Sequence, residues 1–378
     1  MKVLIAGGGT GGHVYPALAI VEELRRRDQL LLVQWIGKKN SLEEKICAQN
    51  GIPFRSIPIL GWPRKGYISK LITLSALAIS IIRSYQVIRR FQPQVVIGVG
   101  GYASFPPVWC AQKLGIPTVL HEQNSKMGLA NKMLAKNADK IFLSFPLIET
   151  PDDEEKATNE NSKYILTGNP VRLSFINPPS KEIAREKLGL KQDLFTVLFM
   201  GGSQGARVIN QNVKEILNAM EPFEFQIIWL TGKGDYEQYQ EYTSTSKTIL
   251  KIFPYSDDMA TLMASADLIV SRAGASTLAE ITAMGKPSIL IPYPYATDNH
   301  QEFNARMIQS AGAGDVILES ELNPTILLEK IRNYIGNPKI LEDKSQNAKN
   351  LGKPLAGEVI AEEILKHLFG QPQKSYIQ

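Results

Sequence analysis

Short apolar runs and amphipathic segments alternate along the whole chain. VLIAG (3–7), LLVQWIG (31–37), VVIGVGG (95–101) and TVLHE (118–122) each end in a glycine or a polar residue. Runs of that length and punctuation predict buried strands, and the longer stretches between them carry helical spacing. Strands alternating with helices build βαβ units around a parallel sheet. The pattern then restarts with TVLFMGG (196–202), QIIWLTG (226–232), ILKIF (249–253), DLIVSR (267–272) and SILIPY (288–293). Each half opens on a strand, a glycine-rich turn and a helix: VLIAGGGTGGH and VLFMGGSQGAR. The reading is an α/β chain of two Rossmann-like domains, residues 1–165 and 166–350, joined near Gly168-Asn169-Pro170. A last helix over 353–370 is expected to pack back on the first domain. Ligands of open parallel sheets bind beyond the carboxyl ends of the strands, so a cleft between two facing domains is the expected site.

One segment departs from the alternation. YISKLITLSALAISIIRSY (67–85) is strongly apolar, yet its charge-free stretch, 71–82, is only 12 residues, short of a spanning helix. Ser69, Thr73, Ser80 and Ser84 fall on one helical stripe, which predicts an amphipathic or buried helix. Arg64, Lys65, Arg83, Arg89 and Arg90 flank it without a nearby acid, the combination by which a monotopic protein holds anionic lipid. The competing expectation is a helix that simply covers the sheet.

Bulk properties narrow the class. At 378 residues the chain suits two domains, and 44% hydrophobic with 21% charged residues is a folded composition. Two cysteines, Cys47 and Cys110, make neither a disulfide framework nor a metal-ligand spacing, which fits a reducing cytoplasm. The apolar part of MKVLIAGGG is too short for a signal peptide. Net charge is +5, but from Lys45 to His121 there are nine Lys or Arg and no Asp or Glu. The opposite bias, Asp152, Asp153, Glu154 and Glu155, opens a polar stretch to Ser162 that reads as a loop insertion. No nucleic-acid-binding motif or interleaved aromatic accompanies the basic region, so phosphorylated ligands and membrane are the expected partners.

Gly7, Gly9 and Gly12 satisfy GxGxxG after a strand, but the second strand ends Ile36-Gly37-Lys38-Lys39 without the acid that a dinucleotide ribose needs. The glycines still let backbone N–H groups approach a phosphate at a helix N-terminus. Gly201-Gly202-Ser203-Gln204-Gly205 and Arg272-Ala273-Gly274-Ala275-Ser276-Thr277 repeat the device. Three such turns suit a diphosphate donor, an acceptor with its own phosphates, or both. Of four histidines, His13, His121 and His300 fall at or just after expected strand ends, and His367 lies on the last helix. There is no Asp-x-Asp and no metal-ligand cluster, so no metal or other cofactor is expected, and helix ends and cations must meet the diphosphate charge.

In this setting GGGTGGHVYPA, GVGGY, HEQN, TGNPVR, GGSQGAR, SRAGAST with Glu280, and DNHQEFNA, running in order from Gly7 to Ala305, resemble glycosyltransferase family 28. Within it they resemble the transferases that add N-acetylglucosamine to the lipid-linked muramyl-pentapeptide precursor of peptidoglycan. The resemblance implies a GT-B fold, inverting transfer without metal, and peripheral attachment to the cytoplasmic face of the inner membrane. It also implies UDP-N-acetylglucosamine and lipid I as substrates, and contact with other cell-wall synthesis and division proteins. Thr10, Gly11, Gly12, Asn124, Arg172 and Ser203 would meet the donor. Ala275 and Ser276 would sit at the helix N-terminus on its α-phosphate, Glu280 on its ribose and Gln301 on its sugar. Gly100, Gly101 and Tyr102 would meet the acceptor diphosphate. Ser256 stands where the family usually has Ile near the uracil, and Ser276 where some members have Leu; backbone contacts tolerate both.

The expected chemistry is one displacement, in which the acceptor hydroxyl attacks the anomeric carbon while UDP leaves from the opposite face. One general base suffices, and His13, directly after the phosphate-type loop, is the expected one. Glu122 is the next candidate. The rivals are a diacylglycerol glycosyltransferase of the same fold, a non-hydrolysing sugar-nucleotide epimerase, and an inactive scaffold.

Overall fold

A computed structural model describes residues 1–61, 67–147, 162–202, 205–219, 224–242, 248–296 and 299–370, the side chains of Tyr67 and Ile68 excepted. Arg64, Lys65, residues 152–161 of the acidic stretch, and Ser203 lie outside them. The chain forms two compact units, Met1–Arg172 with Leu355–Gln378, and Leu173–Pro354.

Among the described residues the first unit holds seven strands: β1 (Lys2–Ala6), β2 (Leu32–Lys38), β3 (Phe54–Ile57), β4 (Val95–Gly98), β5 (Thr118–Glu122), β6 (Lys140–Leu143) and β7 (Tyr164–Leu166). They pair in parallel in the order β3-β2-β1-β4-β5-β6-β7. The unit runs beyond residue 165 because β7 is its edge strand, and the N–H groups of Thr167 and Gly168 bond back to the Leu143 carbonyl. The central strand is buried on both faces. Val3 and Ile5 pack under α1 (Gly11–Arg27) and the helix Ala356–Phe369, through Val14, Ile20, Ile360 and Ile364. Leu4 and Ala6 face the other way, with Ile88 of α3 (Tyr67–Phe91) and Val108 of the helix Phe105–Lys113. The last helix is also tied by Arg27, which reaches Glu358 and Glu362 at 3.2 Å each while holding Glu23 at 2.7 Å.

α3 is inverted relative to an ordinary surface helix. Its polar stripe, Thr73, Ser80 and Ser84, is buried, with the Ser80 hydroxyl donating to the Pro58 carbonyl at 2.6 Å. Its apolar face is outside: Leu71 is 66% exposed, Ile82 57%, and Ile72, Leu74 and Ile79 about half. By length and composition alone, Ser69–Phe91 is long and apolar enough to cross a membrane, but its inner face is packed on β3 and the helix Phe105–Lys113.

The second unit repeats the plan with β8 (Thr196–Met200), β9 (Gln226–Leu230), β10 (Leu250–Phe253), β11 (Leu268–Ser271), β12 (Ser288–Leu290) and β13 (Gly314–Val316), all parallel, in the order β10-β9-β8-β11-β12-β13 among the described residues. Val197 and Phe199 pack on Ile209 and Val213 of the helix Arg207–Ala219 and on Leu327 and Ile331 of Pro324–Gly336. Asp267 locks the starts of β8 and β11 together, accepting from Thr196 N at 2.8 Å and from buried Arg185 at 2.6 Å. In each sheet the strand order reverses once, between β1 and β4 and between β8 and β11. Ligands of such sheets bind at that reversal.

Candidate active site

At the β1/β4 reversal two glycine turns lie against each other. Gly7 and Gly101 have φ of 127° and 76°, a region that favours glycine. A Cβ on Gly7 would stand 2.5 Å from the Gly100 carbonyl oxygen, and one on Gly101 2.5 Å from that of Gly8, so any side chain there would push the turns apart. Buried Glu43 of α2 (Leu42–Gln49) fixes the first turn, accepting from Gly9 N at 3.1 Å and Lys38 N at 3.0 Å. Nothing in the sequence marks Glu43 beyond an ordinary acidic first turn. Trp35 adds a bond from its Nε1 to the Gly7 carbonyl at 2.9 Å.

Out of these turns α1 begins. Thr10 is its N-cap with extended backbone, but its hydroxyl makes no capping bond; it lies 2.9 Å from Nδ1 of His13, in the first turn. The opposite edge of the ring faces Gly100: Cδ2 and Nε2 are 2.8 and 3.1 Å from where a Gly100 Cβ would be. The structure therefore brings together Thr10, Gly11, Gly12, His13, Gly100 and Gly101. Tyr102 is exposed beside them. Arg172 stacks on Tyr15 of α1, guanidinium carbon 4.6 Å from the ring centre.

HEQN divides its labour in a way the sequence does not show. His121 is the penultimate residue of β5, at the expected strand end, but its side chain is fully buried. Burial pulls its pKa down to about 3, with a bond to the Gly168 backbone opposing and the charge of His13 adding slightly. Gln123 donates to its Nδ1 at 2.9 Å; Nε2 then carries the proton and faces Ser144 Oγ at 3.2 Å, which donates onward to Asn169 at 3.1 Å. Glu122 is also unsuited to be the base. Its buried carboxylate accepts from Gly128 N, Asn131 Nδ2 and both nitrogens of Asn124, and burial still raises its pKa. Its work is to hold the loop that presents Asn124, which is half-buried.

In the second unit the β8/β11 reversal is flanked by the turn through Gly201 and Gly205 and by Arg272-Ala273-Gly274. A Cβ on Gly205 would stand 2.4 Å from the Thr231 carbonyl oxygen. The helix Ala275–Ala283 starts at Gly274, which has no side chain to cap it, and its positive end lies at Ala275 and Ser276. Glu280 is half-buried on the same helix. Gln301 is partly committed: its Oε1 accepts from Ala273 N at 3.3 Å and Tyr293 N at 3.0 Å, tying two loops and leaving the amide NH₂ as its donor. Arg272 is wholly structural, bonded to the carbonyls of Ile291 and Pro292 and paired with Glu319 at 2.6 Å. Ser256 Oγ accepts from Asp258 N at 3.1 Å, so a ligand contact there falls to the backbone or to the hydroxyl proton. Asn210 is a position that sequence reasoning passed over: buried, it bridges the Thr231 carbonyl, Asp235 and Trp229 beneath the loop after β9. Among the described residues no group of His, Cys, Asp and Glu could hold a metal ion.

Two units of this topology, each with a glycine turn and a helix N-terminus at its strand reversal, are the architecture of nucleotide-sugar glycosyltransferases of the GT-B type. The N-terminal domain of glycosyltransferase family 28 matches residues 3–143 and its C-terminal domain residues 196–360, and the chain belongs to that family. Over 371 residues it is 41% identical to the UDP-N-acetylglucosamine--N-acetylmuramyl-(pentapeptide) pyrophosphoryl-undecaprenol N-acetylglucosamine transferase of Halalkalibacterium halodurans, covering 97% of this chain and all of the relative. The like-named transferase of Listeria monocytogenes is 40% identical over 367 residues, covering 97% and 99%. Among solved structures, MurG of Acinetobacter baumannii superposes with a TM-score of 0.74 at 27% identity, covering 97% of this chain and 99% of that one. A UDP-N-acetylglucosamine 2-epimerase of Neisseria meningitidis superposes at 0.65 with 16% identity over 97% and 100%, which reflects the fold alone.

Proposed function

We propose that the chain transfers N-acetylglucosamine from UDP-N-acetylglucosamine to undecaprenyl-pyrophosphoryl-N-acetylmuramoyl-pentapeptide, forming lipid II with inversion at the anomeric carbon. The observation that carries this is the packing of the GGTGGH and GVGGY turns against each other with the His13 ring between them, in a chain alike over its whole length to enzymes of that name. In this reading Gly100, Gly101 and Tyr102 receive the acceptor diphosphate, and His13 takes the proton of the muramyl hydroxyl. Thr10, Gly11, Gly12, Asn124, Arg172, Ser203, Ser256, Glu280 and Gln301 contact the donor. The positive end of the helix at Ala275 and Ser276 stabilises the departing UDP, whose negative charge grows as the bond breaks.

The acceptor's lipid suggests where the protein works. The apolar outer face of α3, followed by exposed Arg83, Arg89 and Arg90, suits the interface of an anionic bilayer. The enzyme is accordingly peripheral, on the cytoplasmic face of the plasma membrane. Purified protein with radiolabelled UDP-N-acetylglucosamine and a panel of lipid acceptors tests the function. Label should enter the muramyl-pentapeptide acceptor; label in diacylglycerol instead would establish the rival transferase.

A further inference from the structure

We infer that Thr10 is a positioning residue: its hydroxyl accepts a hydrogen bond from Nδ1–H of His13 and so fixes the ring in the tautomer whose Nε2 is unprotonated. The inference builds on His13 as the base and adds the group that sets its proton. An N-cap threonine ordinarily turns its oxygen onto the free amides of its own helix. Thr10 has the extended N-cap backbone yet makes no such bond, and its oxygen lies 2.9 Å from Nδ1 instead. A neutral imidazole carries one N–H, so this contact has two possible directions. If the hydroxyl donates, the ring proton sits on Nε2, and no lone pair faces Gly100. If the hydroxyl accepts, Nε2 holds its lone pair on the edge that lies against Gly100, beside the turn assigned to the acceptor.

Proton accounting selects the second direction. When the attacking hydroxyl forms its bond to the anomeric carbon, its O–H bond breaks and the proton moves to Nε2, while UDP leaves with the electron pair of the broken glycosidic bond. The resulting imidazolium donates from both nitrogens. Thr10 must accept from Nδ1 at that moment, so accepting from the start spares any rotation of the hydroxyl during the reaction. Thr10 is exposed, so its own proton has water or a ligand oxygen to serve.

The test is nitrogen NMR on the full chain labelled at histidine, free and saturated with UDP-N-acetylglucosamine at pH 8, with kinetics of Thr10→Ser and Thr10→Val. His13 should show a protonated Nδ1 and an unprotonated Nε2. Thr10→Val should move that population toward Nε2–H and lower kcat roughly tenfold or more, as loss of a tautomer-setting group does, on top of any rise in KM from the donor contact assigned to Thr10. Thr10→Ser keeps the oxygen and should restore both the tautomer and most of the rate. Because the hydroxyl caps no amide, thermal stability should be the same in all three. A protonated Nε2 in the unaltered protein, or a tautomer unmoved in Thr10→Val, overturns the inference. Should His13→Asn prove active, the base assignment fails by itself, and the nitrogen shifts still decide what Thr10 does.

Discussion

His13 stands at the end of a turn in which Gly7 and Gly8 have no room for a Cβ, although Gly9 and Gly12 do, and with Thr10 it brings the side-chain chemistry there. General-base assistance is typically worth about 10²–10⁴-fold. His13→Ala should lose about that much kcat while UDP binding, measured by titration, stays nearly intact. His13→Asn separates the base from a loop brace, since it can hydrogen-bond but is a poor base; near-normal turnover in it would refute the assignment. His121 carries a different prediction. Held near pH 3 by burial, it stays neutral where the unfolded chain, with an imidazole near 6.5, would protonate it. Below about pH 6.5 the unfolded state therefore binds more protons, and stability should fall as pH drops from there toward 3. Urea denaturation at pH 7.5 and 5.5 should show the loss, and His121→Gln should reduce it. An equal slope in the variant would place the charge elsewhere. These two histidines look alike in sequence, each beside a ligand-type motif. Only the strand register, which puts His121 opposite Phe142 in the sheet interior, tells them apart.

Most of the strands that the sequence reveals are buried on both faces, because continuous apolar runs closed by glycine need no partner to be recognised; the exception is the edge strand β10, read from ILKIF although only Leu250 is fully buried. β3, β6, β7 and β13 escape that signal: they span three or four residues, and β3, β7 and β13 keep mixed burial near the sheet edges. α3 shows the converse limit. Its serine stripe is legible, but the side it faces is set by what packs against it, and here Pro58, Cys110 and the sheet claim the polar side. That leaves an apolar face exposed to solvent and gives the membrane reading its test. Replacing Leu71, Ile72 and Ile79 with Ser should release the protein from anionic vesicles in a flotation assay without unfolding it, since all three are exposed. Reversing Arg83, Arg89 and Arg90 to Glu should do the same, each cation near such a surface contributing on the order of 1 kcal/mol. Vesicle binding that survives both sets of changes would rule α3 out as the anchor.

At the scale of the molecule, the return of the helix Ala356–Phe369 makes the first unit discontinuous in sequence. Ile360, Ala361, Ile364 and Leu365 are buried in its core against α1. Full burial of an Ile or Leu stabilises by about 1.5–3 kcal/mol, so removing the chain after 354 should cost several kcal/mol of a total that is usually about 5–15. Thermal unfolding of the truncated protein should show the first unit melting far lower and the second unit, Leu173–Pro354, little changed. A first unit of unaltered stability would mean the helix only decorates it. The same arrangement constrains how the protein is made. A ribosome adding about 5–20 residues per second releases the first sheet and then synthesises all of the second unit before the covering helix exists. For some tens of seconds the nascent first unit therefore exposes the α1 face that Ile360 and Ile364 will cover, while the second unit is free to fold ahead of it. The unit synthesised first is thus the last to be completed, and in that interval it is the one a cellular chaperone would hold.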